Sequence, residues 1–186
     1  MIWLASASPR RRELLKLLGV EFDVVTPDID ESVLPNEAPG DYVMRMAKEK
    51  GRAAGRMLGA AAVILSADTS VIRGGVILGK PEDEADAVTM LNKLQNATHR
   101  VLTAVVLTRG DRQSEALSVS EVDFGPMTEE EISAYWQTGE PADKAGSYGV
   151  QGIGGQFIKE IRGSYTGIVG LPLYETRMLL KQWRLL

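Results

Sequence analysis

At 186 residues the chain can form one domain with a proper core, or two small lobes sharing a cleft. Its 44% hydrophobic and 25% charged residues are ordinary for a soluble globular protein, and no apolar run is long enough to span a bilayer. The net charge of −4 argues against broad nucleic-acid binding. The absence of cysteine excludes disulfides and thiolate metal sites and makes a reducing cytoplasm the expected home.

Residues 2–6 read as a buried strand, so the chain opens on structure rather than on a signal peptide. Ser8 then suits an N-cap and Pro9 the first position of a helix, with Leu14, Leu15, Leu17 and Leu18 on its apolar face and Gly19 as its stop. A second strand over residues 22–25 leads into the acidic loop Asp28-Ile29-Asp30-Glu31. Asp41 is expected to cap the next helix, whose inward stripe reads Val43, Ala47, Lys50 and Ala54.

The apolar run 61–67 suits a central strand that delivers Asp68 at its end, and Gly74-Gly75 is a hairpin signal. Pro81 with Glu82, Asp83 and Glu84 opens a helix that turns Val88, Leu91 and Leu94 inward. Residues 101–107 and 117–124 read as antiparallel strands around Gly110-Asp111, with a bulge expected near Ser120-Glu121. Thr128 and Glu131 form a capping box for a helix ending at Gly139. Residues 139–170 hold nine of the 19 glycines, interleaved with apolar and aromatic residues, which marks a tightly turned segment rather than a linker. Pro172 begins a final helix running to the C-terminus. Together these elements predict one α/β unit over residues 1–186, with a mixed twisted sheet and flanking helices, in one body or as two lobes.

Several residues could carry chemistry. The helix start at Ser8 offers unpaired backbone amides and a positive dipole end, to which Ser6 adds a hydroxyl and Arg10, Arg11 and Arg12 add forked cations; all suit a phosphate, though a capped surface helix explains them equally. Asp68 sits where open α/β sheets bind ligands, but it could instead satisfy a turn. A two-residue hairpin turn places Lys80 opposite Thr69 and leaves its facing relative to Asp68 open. Lys50 either snorkels from its apolar stripe or reaches into a cleft. Glu31 with Asp68 could hold Mg²⁺, and Gln151 carries the amide needed to read a pyrimidine edge. His99, the only histidine, rules out two-histidine zinc motifs and suits a structural place. Tyr148 and Tyr165 could stack on a base or belong to local core. No Walker A loop and no nucleophile elbow is present.

Taken in order, Ser6-Ala-Ser-Pro-Arg10-Arg11, Ala67-Asp68-Thr69, Gly79-Lys80-Pro81, His99-Arg-Val-Leu-Thr103, the segment from Gly139 to Gly152 with Asp143-Lys144 and Gln151, Gly163-Ser164-Tyr165 and Val169-Gly-Leu-Pro172 resemble the motifs of the Maf family over nearly the whole chain. The resemblance implies an elongated α/β fold of two lobes around a cleft, related to the inosine triphosphate pyrophosphatases, a divalent-metal-dependent pyrophosphatase (Mg²⁺ or Mn²⁺), and commonly a homodimer. By position it implies Asp68 as the proton acceptor, Ser6, Arg10, Arg11, Lys50 and Lys80 as phosphate-binding residues, and Glu31 as a metal-site or water-orienting carboxylate. Thr69 and Gln151 match positions linked with base selection, and the surrounding motif is similar to members acting on dTTP and UTP.

The reaction so implied is attack of an Asp68-activated water on the α-phosphorus, releasing the monophosphate and pyrophosphate. Two other readings stand beside it: the same chemistry on another modified nucleotide, or a nucleotide-binding regulator of cell division without turnover. No nucleic acid and no membrane is expected as a partner.

Overall fold

A computed structural model describes residues 1–186. The β-branched and apolar run at the N-terminus forms strand β1 (Ile2–Ala5), which lies between β2 (Phe22–Val25) and β3 (Val63–Arg73) and is parallel to both. Helix α1 (Pro9–Lys16) connects β1 to β2, and α2 (Pro39–Leu58) connects β2 to β3. Because the chain leaves β1 toward one neighbour and returns past it to the other, the C-terminal end of β1 is a switch point of the kind where α/β sheets bind ligands.

Beyond β3 the pairing is antiparallel. A hairpin over Gly74-Gly75 leads to β4 (Val76–Leu78), with both glycines at positive φ, 59° and 81°, as a two-residue turn requires. Helix α3 (Glu84–Leu94) follows, and then β5 (Thr98–Arg109) and β6 (Arg112–Phe124) form a long hairpin about Gly110-Asp111. Helix α4 (Glu129–Gln137) carries the Thr128–Glu131 capping box. The glycine-rich segment forms short 3₁₀ turns at Glu140–Asp143, Ala145–Ser147 and Ile153–Phe157, then edge strand β7 (Ile158–Arg162) and helix α5 (Tyr165–Val169). Helix α6 (Leu173–Gln182) closes the chain, and the seven-stranded sheet runs β2-β1-β3-β5-β6-β7 with β4 on β3.

Two core clusters of 13 buried residues each lie along this sheet. One packs Leu14, Leu15, Leu179 and Trp183 of α1 and α6 region against Leu4, Leu65 and Leu107; the other packs Met90, Leu91 and Leu94 of α3 with Ile132 and Tyr135 of α4 against Val71, Val101 and Phe124. Helix α2 covers the opposite face of the sheet through Val43 and Ala47 against Leu102, Ala104 and Val106. Leu65 is fully buried, so Leu65→Ala would cost about 2–5 kcal/mol. The clusters meet at β3, where Ala67 belongs to the first and Val71 to the second. Thus the mixed sheet with flanking helices and a seam between two lobes follows the sequence expectation. No helix is long and apolar enough to cross a membrane.

Several boundaries differ from expectation. β3 does not end at Asp68 but runs to Arg73, because Thr69 to Ile72 continue to pair with β5. α2 starts at Pro39 with Ala38 as its N-cap and no side-chain cap; the fixed φ of proline serves in place of Asp41, which lies in the first turn. α3 starts at Glu84, capped by Asp83 through the Asp86 amide, rather than at Pro81. Val88 is only half-buried; Ala87, Met90, Leu91 and Leu94 are the buried positions of that helix. The β5–β6 register passes Ser120 and Glu121 without a slip, and the irregularity falls at Asp123/Phe124 in the pairing with β7. α6 stops at Gln182, and Arg184 turns the chain at φ 56°.

Candidate active site

The short length of β1 creates the site. β1 pairs with β3 from Val63 to Ser66, and β4 pairs with it from Val71 to Arg73. Residues 67–70 of β3 therefore have neighbours on the β5 side only, and their other edge faces a cleft of about 850 Å³. That volume suits a nucleotide-sized molecule. Successive side chains of a strand point to opposite faces, but because the cleft opens at the strand edge, both Asp68 and Thr69 line it.

On the α2 side, Lys50 Nζ lies 2.7 Å from Asp68 Oδ1 and 2.7 Å from Glu31 Oε1. The lysine stem is buried in the helix stripe and its ammonium turns into the cleft, so the snorkelling alternative does not apply. Burial pushes the Asp68 carboxyl above its ordinary range, against the opposing pull of Lys50 and Arg11. Burial acts in the same direction on Glu31, but there the hydrogen bond and charge of Lys50, with Lys80 and Arg11 behind them, win and hold the carboxyl below its usual value. The two carboxylates therefore differ: burial makes Asp68 the stronger base, while its cationic neighbours make Glu31 the weaker one. Lys80 is exposed and lines the same cleft as Asp68, and its charge adds to the pull on Glu31.

On the other side stands the start of α1. Ser8 caps the helix by accepting from the Arg11 amide at 3.4 Å. Ser6 Oγ accepts from the Ser8 amide at 3.1 Å and from Arg11 Nη1 at 3.3 Å, so its own proton is left to donate outward. Arg11 is tied inward: Nε donates to Gly170 O at 2.8 Å and Nη2 to Thr69 Oγ1 at 3.1 Å. Thr69 in turn meets Thr103 Oγ1 at 3.0 Å, and Thr103 donates to Gly167 O at 2.7 Å. Desolvation lowers the pKa of Arg11, opposed by Asp68. Arg10 lies 3.7 Å from Asp143 Oδ2 and lines the cleft, whereas Arg12 points to a separate shallow surface site beside Lys16.

The nine residues to which the family resemblance gives a role line one cleft: Ser6, Arg10, Arg11, Glu31, Lys50, Asp68, Thr69, Lys80 and Gln151. The aromatic candidates do not behave as free stacking surfaces. Tyr148 is buried, with its hydroxyl 2.7 Å from Nε2 of the buried His99 and its ring edge-on to Phe124, and Tyr165 lies outside the cleft. Tyr42 was not singled out, yet it lines the cleft and donates to Glu31 O at 2.8 Å, fixing the acidic loop; its phenol is pushed up to about 12 by burial, Asp68 and Glu31. Its spacing of eight from Lys50, two turns along one helix, was the available signal. Thr103 and Glu140 were also missed: Thr103 meets Thr69 and Gly167, far away in sequence, and Glu140 meets Tyr135 and the Ile153 and Gly154 amides across the irregular glycine-rich segment, which no periodicity describes.

An α/β sheet whose open strand edge meets a capped helix start, inward-facing cations and a half-buried lysine between two carboxylates defines a protein built to hold a small, highly anionic molecule. The chain belongs to the Maf family: the family described as Maf-like protein matches residues 1–183. A dTTP/UTP pyrophosphatase of Hahella chejuensis is 51% identical over 97% of this chain and 90% of its own length. One from Vibrio vulnificus is 47% identical over 97% of both. The Staphylococcus aureus Ham1 protein superposes loosely, with TM-score 0.46 and 17% identity over 66% of this chain and 71% of that one.

Proposed function

We propose that this protein is a nucleoside triphosphate pyrophosphatase that converts dTTP and UTP to the monophosphate and pyrophosphate. The relatives that carry this name align over almost the full chain. The observation that carries the chemistry is the buried Asp68, raised in basicity by burial and held by Lys50 at 2.7 Å.

In this reading Asp68 takes a proton from water, and the water oxygen bonds to the α-phosphorus as the bond to the bridging oxygen of the leaving pyrophosphate breaks. Ser6 supplies a hydroxyl donor to the phosphates and the start of α1 the Arg10 amide, since Pro9 has no N–H and the Arg11 and Arg12 amides are bound to Ser8. Arg10, Lys50 and Lys80 offset the triphosphate charge, and Arg11 adds a fixed positive field from its anchored position. Gln151, exposed at the cleft rim, meets the base.

No group of three or more acidic or histidine side chains is placed to share a metal ion. Two carboxylates, Glu31 and Asp68, nevertheless converge on one cation, the Lys50 ammonium, and Mg²⁺ characteristically uses one or two carboxylates with substrate phosphates and water. Glu31 and Asp68 therefore fit as the residues that would hold Mg²⁺ or Mn²⁺, which supplies charge neutralisation on the phosphates. Work as a homodimer in the cytoplasm belongs to the same proposal, on the strength of the family resemblance and the cysteine-free composition.

The test is pyrophosphate release from a panel of nucleoside triphosphates with Mg²⁺ or Mn²⁺. Release from UTP and dTTP, reduced by roughly 10²–10⁴-fold in Asp68→Asn, is expected. Binding without release would replace the enzyme by a nucleotide-binding regulator.

A further inference from the structure

The turn that carries Gln151 has little to hold it by itself: Gly152 N donates to Gly149 O at 3.4 Å, and three of the residues from 149 to 154 are glycine. Val150 is its one apolar anchor, packed against both core clusters. What fixes the turn comes from elsewhere. Oε1 of Glu140 accepts from Tyr135 Oη at 2.6 Å and from the Gly154 amide at 2.9 Å, while Oε2 accepts from the Ile153 amide at 2.7 Å. Tyr135 Oη accepts in turn from the Gly149 amide at 3.0 Å. The amides on both flanks of Gln151 are thus bound to one carboxylate–phenol pair.

This packing explains the glycines. A Cβ at Gly152 would collide with the Glu140 carboxylate, and one at Gly154 would collide with Tyr135 Oη and lie 2.8 Å from Gly149 O. The carboxyl is held below its ordinary range: burial opposes this, but the Tyr135 hydroxyl and the two amides outweigh it. An acceptor-only group is required, because three donors converge on its two oxygens. The clamp is also joined to the phosphate side. Lys144 Nζ donates to Glu140 O and to Asp143 Oδ1, both at 2.8 Å, and Asp143 Oδ2 faces Arg10.

We propose that Glu140 is a positioning residue for base selection, holding the turn that presents Gln151 at the cleft rim. The inference rests on the pyrophosphatase reading and on Gln151 meeting the base. Glu140 lines the cleft, but its oxygens are spent on Tyr135, Ile153 and Gly154, so it acts on the base through the turn it holds. Its loss frees the turn, so that a base is met by a loosely placed amide while the phosphate half of the cleft is unchanged.

Glu140→Gln is the decisive variant, since its amide nitrogen would face the Ile153 N–H donor to donor. The expected result is a fall of about tenfold in the ratio of kcat/KM for UTP over ATP, arising from KM for UTP. The kcat for UTP and the inhibition constant of inorganic tripolyphosphate, which reports the phosphate half alone, should stay within about threefold. Tyr135→Phe keeps the carboxylate and should give a smaller loss of the same kind. Should Glu140→Gln fail to fold in a thermal melt, Tyr135→Phe decides, with a selective loss supporting the inference and unchanged selection overturning it. An unchanged UTP:ATP ratio in Glu140→Gln overturns the inference and leaves the pyrophosphatase reading standing. A parallel loss of tripolyphosphate binding, kcat and selection overturns it too, because Glu140 would then be a general structural residue. A wild-type protein that releases pyrophosphate without choosing among bases overturns the inference, and one that releases none removes the reading beneath it.

Discussion

Arg11 Nη2 donates to Thr69 Oγ1 across 3.1 Å, joining the start of α1 to the open edge of β3. With the bond from Nε to Gly170 O, the planar fork spans two elements that no other polar side chain of α1 connects. Arg11→Lys keeps the charge but has one small ammonium in place of the fork, and cannot serve both partners. It should lower stability by roughly 1.5–3 kcal/mol, the range for a charged hydrogen bond, seen as an earlier midpoint in denaturant unfolding. A midpoint equal to wild type would show that the fork is not a tie.

Glu31 offers a cleaner view of the cation site than Asp68, because its side chain is 54% exposed and its loss disturbs little packing. Glu31→Gln should leave the melting temperature near wild type and raise the Mg²⁺ or Mn²⁺ concentration that gives half-maximal turnover by about tenfold. Chelation should stop turnover in both proteins, and added ion should restore it. Identical ion titrations would remove Glu31 from the site.

His99 predicts how stability depends on acid. Burial, with Arg73 nearby and only Asp123 opposing, depresses its folded-state pKa from 6.5 to about 4. Between those values the unfolded chain binds the proton and the folded chain does not, so stability is fully present above about pH 6.5 and is lost as pH falls toward 4. The shift amounts to roughly 3 kcal/mol. Unfolding free energy measured from pH 7 to pH 4.5 should fall less steeply in His99→Gln than in wild type. Equal slopes would mean that His99 accepts its proton in the fold.

Local chemistry was legible in the sequence; partners distant in sequence were not. The Ser8–Pro9 start of α1, the Gly74-Gly75 and Gly110-Asp111 turns, and the Thr128–Glu131 box each depend on residues a few positions apart, and each forms as read. The end of β3 was misjudged because Ser66, Asp68 and Ser70 look like the polar close of an apolar run. In the fold they are a polar row on one strand face, with Ser66 bonded to Ala47 O and Asp68 to Lys50. β7 and α5 went unread because glycine density hides short elements, and their support comes from β6: Arg162 pairs with Glu121, and the Ser164 amide donates to Ser120 Oγ. Of the site, residue types and order could be read, but not the sharing of Lys50 by two carboxylates, nor the engagement of Thr69 by Arg11.

The floor of the cleft also limits how the protein can move. From Ile64 to Ile72, β3 is paired to β5 without interruption, passing beneath the seam between the two core clusters. A continuous ladder offers no sharp hinge at that point, so any relative rotation of the lobes would have to be spread as twist along β3 and β5. Adjustment falls to the segments at the rim: the acidic stretch before α2, held by Tyr42, and the turn held by Glu140. Paired in this way, the frame of the cleft is in place before a ligand arrives, and the ordering that binding would add is concentrated in those two rim segments.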